Sequence, residues 1–271
     1  SPAGVLAIPV AGGDRALDAE AGHALPAGME REVTPAGTAR HQAAHIAGAW
    51  RAGGQQFGMV LEPFAGAGGN TRFLAGQAGI FVVGCEIDAS RAHVAKRAAP
   101  GADILVADAR QICSLFRPGA FDGVLLSPPW GGEAVNNQAS WPTQRIGVDG
   151  MDGWQTLEAA CRISPNVAYY LPRNIPRRDV EKMAETVGPA LVHVHTVPGT
   201  PCIPRRGKNW TYEPSGKWRW RKTSAMTAYF GAFAVHRFSS CPREPDRLRS
   251  VDSAVDDGST DGGMARGTGH A

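Results

Sequence analysis

Apolar and polar positions change their spacing repeatedly along this chain. Residues 58–64 form an apolar run of strand length, and over 71–77 the spacing becomes helical. The exchange then repeats, with strands predicted at 80–85, 104–107, 121–127, 167–171 and 191–197 and helices at 90–98, 154–163 and 178–187. A last strand is predicted over 226–238, interrupted by Gly231. Strands that alternate with helices build βαβ units around a parallel sheet. The last strand follows the sixth without a helical crossover, so it is expected to run antiparallel, at or near one edge. The expected fold is therefore α/β and Rossmann-like: a seven-stranded, mostly parallel sheet with an antiparallel last strand.

Outside this block the pattern fades. Residues 1–28 are rich in Ala, Gly and Pro without periodicity and read as a disordered lead; residues 239–271 are rich in Ser, Asp, Gly and Arg and read as a disordered tail. Residues 29–55 read as a helical extension, which leaves 56–238 for the sheet domain.

Composition narrows the class. A hydrophobic fraction of 43% suits a packed core. No apolar run approaches the ~18 residues that a membrane span needs. The start shows no basic segment followed by an apolar core, so no secretory leader is expected. The five cysteines (Cys85, Cys113, Cys161, Cys202 and Cys241) are scattered, without metal-ligand spacing. A reduced, intracellular protein without a metal is expected from this, and a monomer by default. The net charge of +3 says little, but its distribution says more. Arg205, Arg206, Lys208, Lys217, Arg219, Arg221 and Lys222 crowd the stretch 198–222, opposed by Glu213 and interleaved with Trp210, Tyr212, Trp218 and Trp220. Cations neutralise phosphates and aromatic faces stack on bases. The stretch is either a nucleic-acid contact or a solvated loop whose aromatics pack on the core.

Ligands of such sheets gather at the carboxyl ends of the strands, and the candidate chemistry falls there. The first strand runs into Glu62-Pro63-Phe64-Ala65-Gly66-Ala67-Gly68-Gly69-Asn70-Thr71. Its glycines allow a sharp turn and close approach of a ligand, and the helix that follows offers amides to a carboxylate. Glu86 ends the second strand, where an acid accepts from both hydroxyls of a ribose. Asp88 is expected to cap the next helix. Asp108 ends the third strand, where a carboxylate can accept from an adenine amino group. Each acid alone is most simply a helix cap; acids at successive strand ends point to an adenosine cofactor.

The fourth strand decides which cofactor. It ends in Ser127-Pro128-Pro129-Trp130-Gly131-Gly132, the Asp/Asn/Ser-Pro-Pro-aromatic form of amino-methyltransferases, which selects S-adenosylmethionine over a nicotinamide. The lone pair of an exocyclic base amine is delocalised into the ring. The Ser127 side chain and the Pro128 carbonyl can hold its hydrogens and aim that lone pair at a methyl group. Prolines fix the backbone so that these acceptors converge, and Trp130 stacks on the base. Catalysis of this kind is orientation and electrostatics.

Four segments together resemble the trimethylguanosine synthase family. They are Phe64-Ala65-Gly66-Ala67-Gly68-Gly69-Asn70, Ser127-Pro128-Pro129-Trp130-Gly131-Gly132, Tyr170-Leu171-Pro172-Arg173-Asn174 and Thr227-Ala228-Tyr229-Phe230-Gly231. Val33-Thr34-Pro35 with His45-Ile46-Ala47 resembles that family's extension before the sheet. The resemblance implies a class I methyltransferase that modifies the 2-amino group of a 7-methylguanosine RNA cap, giving 2,7-di- and 2,2,7-trimethylguanosine. It implies that Glu62, Phe64, Gly66, Gly68, Asn70, Thr71, Glu86, Asp108 and Ser127 line the cofactor. Ser127, Pro128 and Trp130 would serve the reaction, and Trp130, Arg173, Asn174 and Lys222 the capped substrate. Small nuclear or nucleolar RNA would be the partner and the nucleus the location. Glu62 stands where the family commonly has Asp, and Val135 where it often has Tyr. Two alternatives stay open: an amino-methyltransferase of adenine or cytosine in RNA or DNA, and an inactive cap-binding protein on the same scaffold.

Overall fold

In a computed structural model, which describes residues 5–10, 33–131, 135, 137–196 and 223–235, the apolar runs are explained by helices on both faces of one sheet. Strands β2 (Gly58–Glu62), β3 (Ile80–Glu86), β4 (Asp103–Val106) and β5 (Gly123–Leu126) alternate with helices α2 (Gly69–Ala75), α3 (Ala89–Ala98) and the short α4 (Ile112–Leu115). In β5, Val124 and Leu126 enter the core on one face and Leu125 the core on the other, all fully buried. Strands buried on both faces read as continuous apolar stretches. A hairpin, β6 (Gly147–Val148) and β7 (Met151–Asp152), leads into α5 (Gly153–Ile163). Then come β8 (Val167–Pro172), α6 (Arg177–Val187), β9 (Ala190–Thr196), β10 (Thr223–Tyr229) and the short α7 (Ala232–Val235).

All seven expected strands are present, and β10 runs antiparallel to both of its neighbours, β8 and β9. An eighth strand, β1 (Val5–Val10), pairs in parallel with β9 from Val5↔Ala190 to Val10↔His195. The order is β1-β9-β10-β8-β5-β2-β3-β4. The lead expected to be disordered thus contributes a strand; its run Val-Leu-Ala-Ile-Pro-Val is apolar, and Pro9 is tolerated because the strand lies at the sheet edge. Successive strands spread in opposite directions from the β2–β5 pair, and a crevice opens at the carboxyl ends of strands at such a reversal.

The remaining differences are at element ends. The strand expected over 58–64 stops at Glu62, because Pro63 has no amide hydrogen for a ladder. The helix expected from 71 begins at Gly69, directly after Gly68 in the left-handed region (φ 84°). The last strand, expected to pass through Gly231, ends at Tyr229; Gly231 (φ 63°) turns the chain into α7, and the Ala232 amide donates to Asn166 Oδ1 at 2.7 Å.

The extension before the sheet forms α1 (Ala36–Ala52), which buries Ala39, Ala43, Ile46 and Trp50 at helical spacing. Trp50 fills the space beside Gly58, where an added Cβ would come within 2.6 Å of its ring, and lies 5.8 Å from Phe233 of α7. His45 Nε2 meets the Phe233 carbonyl at 2.7 Å, which ties α1 to α7. Among the described residues no helix is long and apolar enough to cross a membrane. The 198–222 stretch, Lys222 included, and the 239–271 tail lie outside the described residues.

Candidate active site

The glycine loop leaves β2 and folds back on its neighbours: the Ala65 amide donates to the Cys85 carbonyl and the Gly68 amide to the Ala65 carbonyl, both at 2.8 Å. Gly66 and Gly68 both have positive φ (55° and 84°). A Cβ added at Gly66 would meet nothing within 4 Å, so the loop backbone faces open space there. One added at Gly68 would lie 2.9 Å from Ala95 Cα, so only glycine lets the loop close on α3.

Of the residues expected along this loop, Glu62 and Thr71 face each other in the interior. Thr71 Oγ1 donates to Glu62 Oε2 at 2.6 Å, and Glu62 is 1% exposed. Burial pushes the Glu62 carboxyl up to about 8, against hydrogen bonds from Thr71, Asn70 and Ser127 that pull it down. Asn70 is buried, and among the described residues its Oδ1 has no partner. Phe64 is half-buried and packs on the core cluster of β5 and β8.

Glu86 ends β3 and accepts the Asp88 amide on Oε1 at 2.9 Å. Asp88 caps α3, accepting from the Ser90 and Arg91 amides. Between them Ile87, just past the carboxyl end of β3, is 62% exposed. It was not among the expected site residues, although an aliphatic residue directly after a strand-end acid is a usable signal. Asp108 lies two residues past β4, caps a 3-10 turn and pairs with Arg110, whose Nε stands 2.8 Å from Oδ2. Hydrogen bonds from Arg110 hold the Asp108 carboxyl below its ordinary range. Arg110 also donates to the Asp149 carbonyl at 3.1 Å, joining the β6–β7 hairpin to the end of β4. Any ligand donor that reached Asp108 would share the carboxylate with this guanidinium, a contact that strand-end position alone does not reveal.

Ser127 follows β5. Its hydroxyl lies 3.3 Å from both Glu62 Oε1 and the Phe64 carbonyl, which joins the amine motif to the glycine loop across the β2–β5 reversal. Pro128 is buried and Trp130 half-buried, its ring centroid 5.8 Å from that of Tyr170 on β8. Arg173 stands half-buried just past the end of β8. Asn174, expected at the substrate, donates from its side-chain amide to the carbonyls of Val135 (2.9 Å) and Gln138 (3.0 Å), while its main-chain carbonyl accepts the Trp141 amide. Here it is a clamp on the loop after Trp130. Asp179 of α6 is a second clamp, taking both the amide and the hydroxyl of Thr143.

The sequence profile of the RNA cap guanine-N2 methyltransferases matches residues 57–197, from just before β2 through β9. This chain belongs to the RNA cap guanine-N2 methyltransferase family. Its α/β sheet is the class I methyltransferase arrangement, and the matched span holds the glycine loop, Ser127-Pro128-Pro129-Trp130 and Tyr170-Leu171-Pro172-Arg173-Asn174. Among solved structures, a candidate RNA methyltransferase from Pyrococcus horikoshii is 15% identical, over 71% of this chain and 83% of its own, with a TM-score of 0.43. TrmN from Thermus thermophilus is 22% identical, over 54% of this chain and 40% of its own, with a TM-score of 0.36. The amino-terminal domain of EvdMO1, crystallised in the presence of SAH and D-fucose, is 20% identical over 49% of each chain, with a TM-score of 0.33.

Proposed function

We propose that this family member methylates the 2-amino group of a 7-methylguanosine RNA cap, using S-adenosylmethionine, and yields 2,7-di- and 2,2,7-trimethylguanosine. The observation that carries the reading is the meeting of Ser127 with the glycine loop, 3.3 Å from Glu62 Oε1 and from the Phe64 carbonyl, at the strand end that also carries Trp130. S-adenosylmethionine supplies an electrophilic methyl group on a sulfonium. The residues present suit it: the open space at Gly66 admits a ligand against the backbone, and the buried, unpartnered Asn70 Oδ1 offers an acceptor. Glu86 would hold the ribose, Ile87 would pack against the adenine, and Asp108, shared with Arg110, would accept its amino group.

On the substrate side, Ser127 Oγ and the Pro128 carbonyl take the hydrogens of the 2-amino group and direct its lone pair. Trp130 stacks on 7-methylguanine. That base is cationic, and an indole face attracts a cation by about 0.5–2 kcal/mol. Arg173 meets the cap phosphates as a bidentate donor, and Lys222, which lies outside the described residues, is proposed as a second phosphate contact. The partner is a capped RNA of small nuclear or nucleolar type, and the protein works as a monomer in the nucleus.

The test is binding and transfer with two dinucleotide caps, one carrying 7-methylguanosine and one unmethylated guanosine, with Trp130→Ala as comparison. Transfer to the first cap alone, lost in the variant, is expected. Equal transfer to both caps would contradict a platform that selects the cationic base.

A further inference from the structure

Ser127 has one hydroxyl hydrogen and two lone pairs. Its oxygen lies 3.3 Å from Glu62 Oε1 and 3.3 Å from the Phe64 carbonyl. With the hydrogen directed at either acceptor, the lone pairs are free to receive hydrogens of an amine. The two acceptors differ in one respect: a peptide carbonyl can only orient the hydroxyl, whereas a carboxylate can also take its proton. We propose that Glu62 is a positioning residue of the amine site and its proton acceptor, acting through Ser127. This rests on the reading of Ser127-Pro128 as the amine site.

The step balances without a further reactant. The bond from sulfur to methyl breaks and the bond from nitrogen to methyl forms, which leaves the nitrogen with a positive charge and one proton too many. That proton passes to Ser127 Oγ while the Ser127 hydroxyl proton passes to the Glu62 carboxylate. Ser127 ends as the neutral hydroxyl it began as, and Glu62 ends as the neutral acid.

The surroundings suit a group that changes charge during the cycle. Glu62 is met by Thr71 and Asn70 of α2 and by Ser127 after β5, and its charge acts on Cys85 of β3. The Cys85 thiol is itself pushed up to about 11, by burial first and by Glu62 second. With burial dominant and the carboxyl at about 8, the neutral acid prevails at pH 7 in the protein alone. A cation nearby favours the carboxylate. The sulfonium of S-adenosylmethionine is such a cation, and S-adenosylhomocysteine lacks it. A sulfonium held at the glycine loop would therefore draw the proton off Glu62, which would take one from the amine once that charge is gone.

Calorimetry in buffers of different ionisation enthalpy counts protons exchanged on binding and needs no acceptor substrate. At pH 7, S-adenosylmethionine releases a proton from the wild-type protein and S-adenosylhomocysteine does not. Glu62→Gln abolishes the release, and Glu62→Asp, which keeps a carboxyl, retains it. In the wild type, infrared difference spectra show a protonated-carboxyl carbonyl stretch that S-adenosylmethionine removes and S-adenosylhomocysteine leaves, a readout that does not depend on a variant folding. In single-turnover transfer to the 7-methylguanosine dinucleotide, Glu62→Gln is slower by about 100-fold, the scale of a lost proton acceptor. It also loses the acid limb of the pH profile, while KM for the cap stays unchanged. Equal proton release in wild type and Glu62→Gln, a carboxyl band indifferent to the ligand, or an unchanged pH profile in the variant would overturn the proposal. Glu62-dependent proton release with no transfer to the cap would support the role of Glu62 and remove the cap reading instead.

Discussion

Replacing Asp179 by Ala should loosen the substrate side of the crevice at a cost that the structure specifies. Asp179 lies in the first turn of α6 and is nearly buried, and its Oδ2 accepts both the Thr143 amide (2.8 Å) and the Thr143 hydroxyl (2.9 Å). Thr143 is itself fully buried, so no water replaces the lost acceptor. A hydrogen bond to a charged group contributes about 1.5–3 kcal/mol, and two at the lower end sum to about 3 kcal/mol. For a domain of this size that lowers Tm by about 6–12 °C. Urea unfolding should show the same loss as a shifted midpoint with an unchanged slope. Asp179→Asn keeps an oxygen acceptor and should cost about half as much. The turn from Thr143 continues the loop that Asn174 clamps through Trp141, so KM for the cap should rise in Asp179→Ala. A loss below about 1 kcal/mol would refute the reasoning, since it would mean that the two donors find other partners.

Other outcomes follow from the same geometry. Gly68→Ala forces a left-handed residue and a Cβ 2.9 Å from Ala95 Cα, so S-adenosylhomocysteine should bind at least about tenfold more weakly by calorimetry; an unchanged Kd would contradict the account of the loop. Gly231→Ala places a Cβ 2.4 Å from the Pro165 carbonyl at φ 63° and should cost about 1–3 kcal/mol in urea unfolding. His41 is lowered by burial from 6.5 to about 4, so its neutral form is native. The unfolded chain binds the proton first, and stability should fall by up to about 3 kcal/mol as pH drops from 6.5 to 4. His41→Gln should flatten that limb of a pH series of unfolding. Glu62 acts in the opposite sense: its raised carboxyl contributes most below its unfolded value of 4.5 and loses that contribution as pH climbs to about 8.

Much of the fold is legible because it is written in local spacing. Residues such as Val124, Leu125 and Leu126 are buried on both faces of the sheet, which produces the continuous runs that mark its strands. Glu86 at the end of β3 is legible for the same reason, whereas Asp108, expected to end β4, falls two residues past it. What escapes depends on distant partners. β1 is a six-residue apolar run whose partner begins at Ala190, and nothing near Val5 announces that partner. Gly231 reads equally as a flaw in a strand or as a reversal, and the Asn166 side chain that caps α7 decides between them. Arg110 reaches back to Asp108 only because a 3-10 turn brings it there. Asn174 belongs to a substrate motif by position, yet the loop from Val135 to Trp141 returns to meet it and takes its amide. Glu62 opens a cofactor motif, and only packing shows that it faces Ser127 as well as Thr71.

The central claim is that the methyl group goes to the 2-amino nitrogen of 7-methylguanine, held by Ser127 and Pro128 against Trp130. The most direct test compares the dinucleotide cap of 7-methylguanosine with that of 7-methylinosine, which keeps the cationic ring and lacks the amine. With S-adenosylmethionine, mass spectrometry should find one and then two added methyl groups on the guanosine cap and none on the inosine cap, although both bind. Methylation of the inosine cap would contradict the account, because the methyl would then be going to an atom other than the amine.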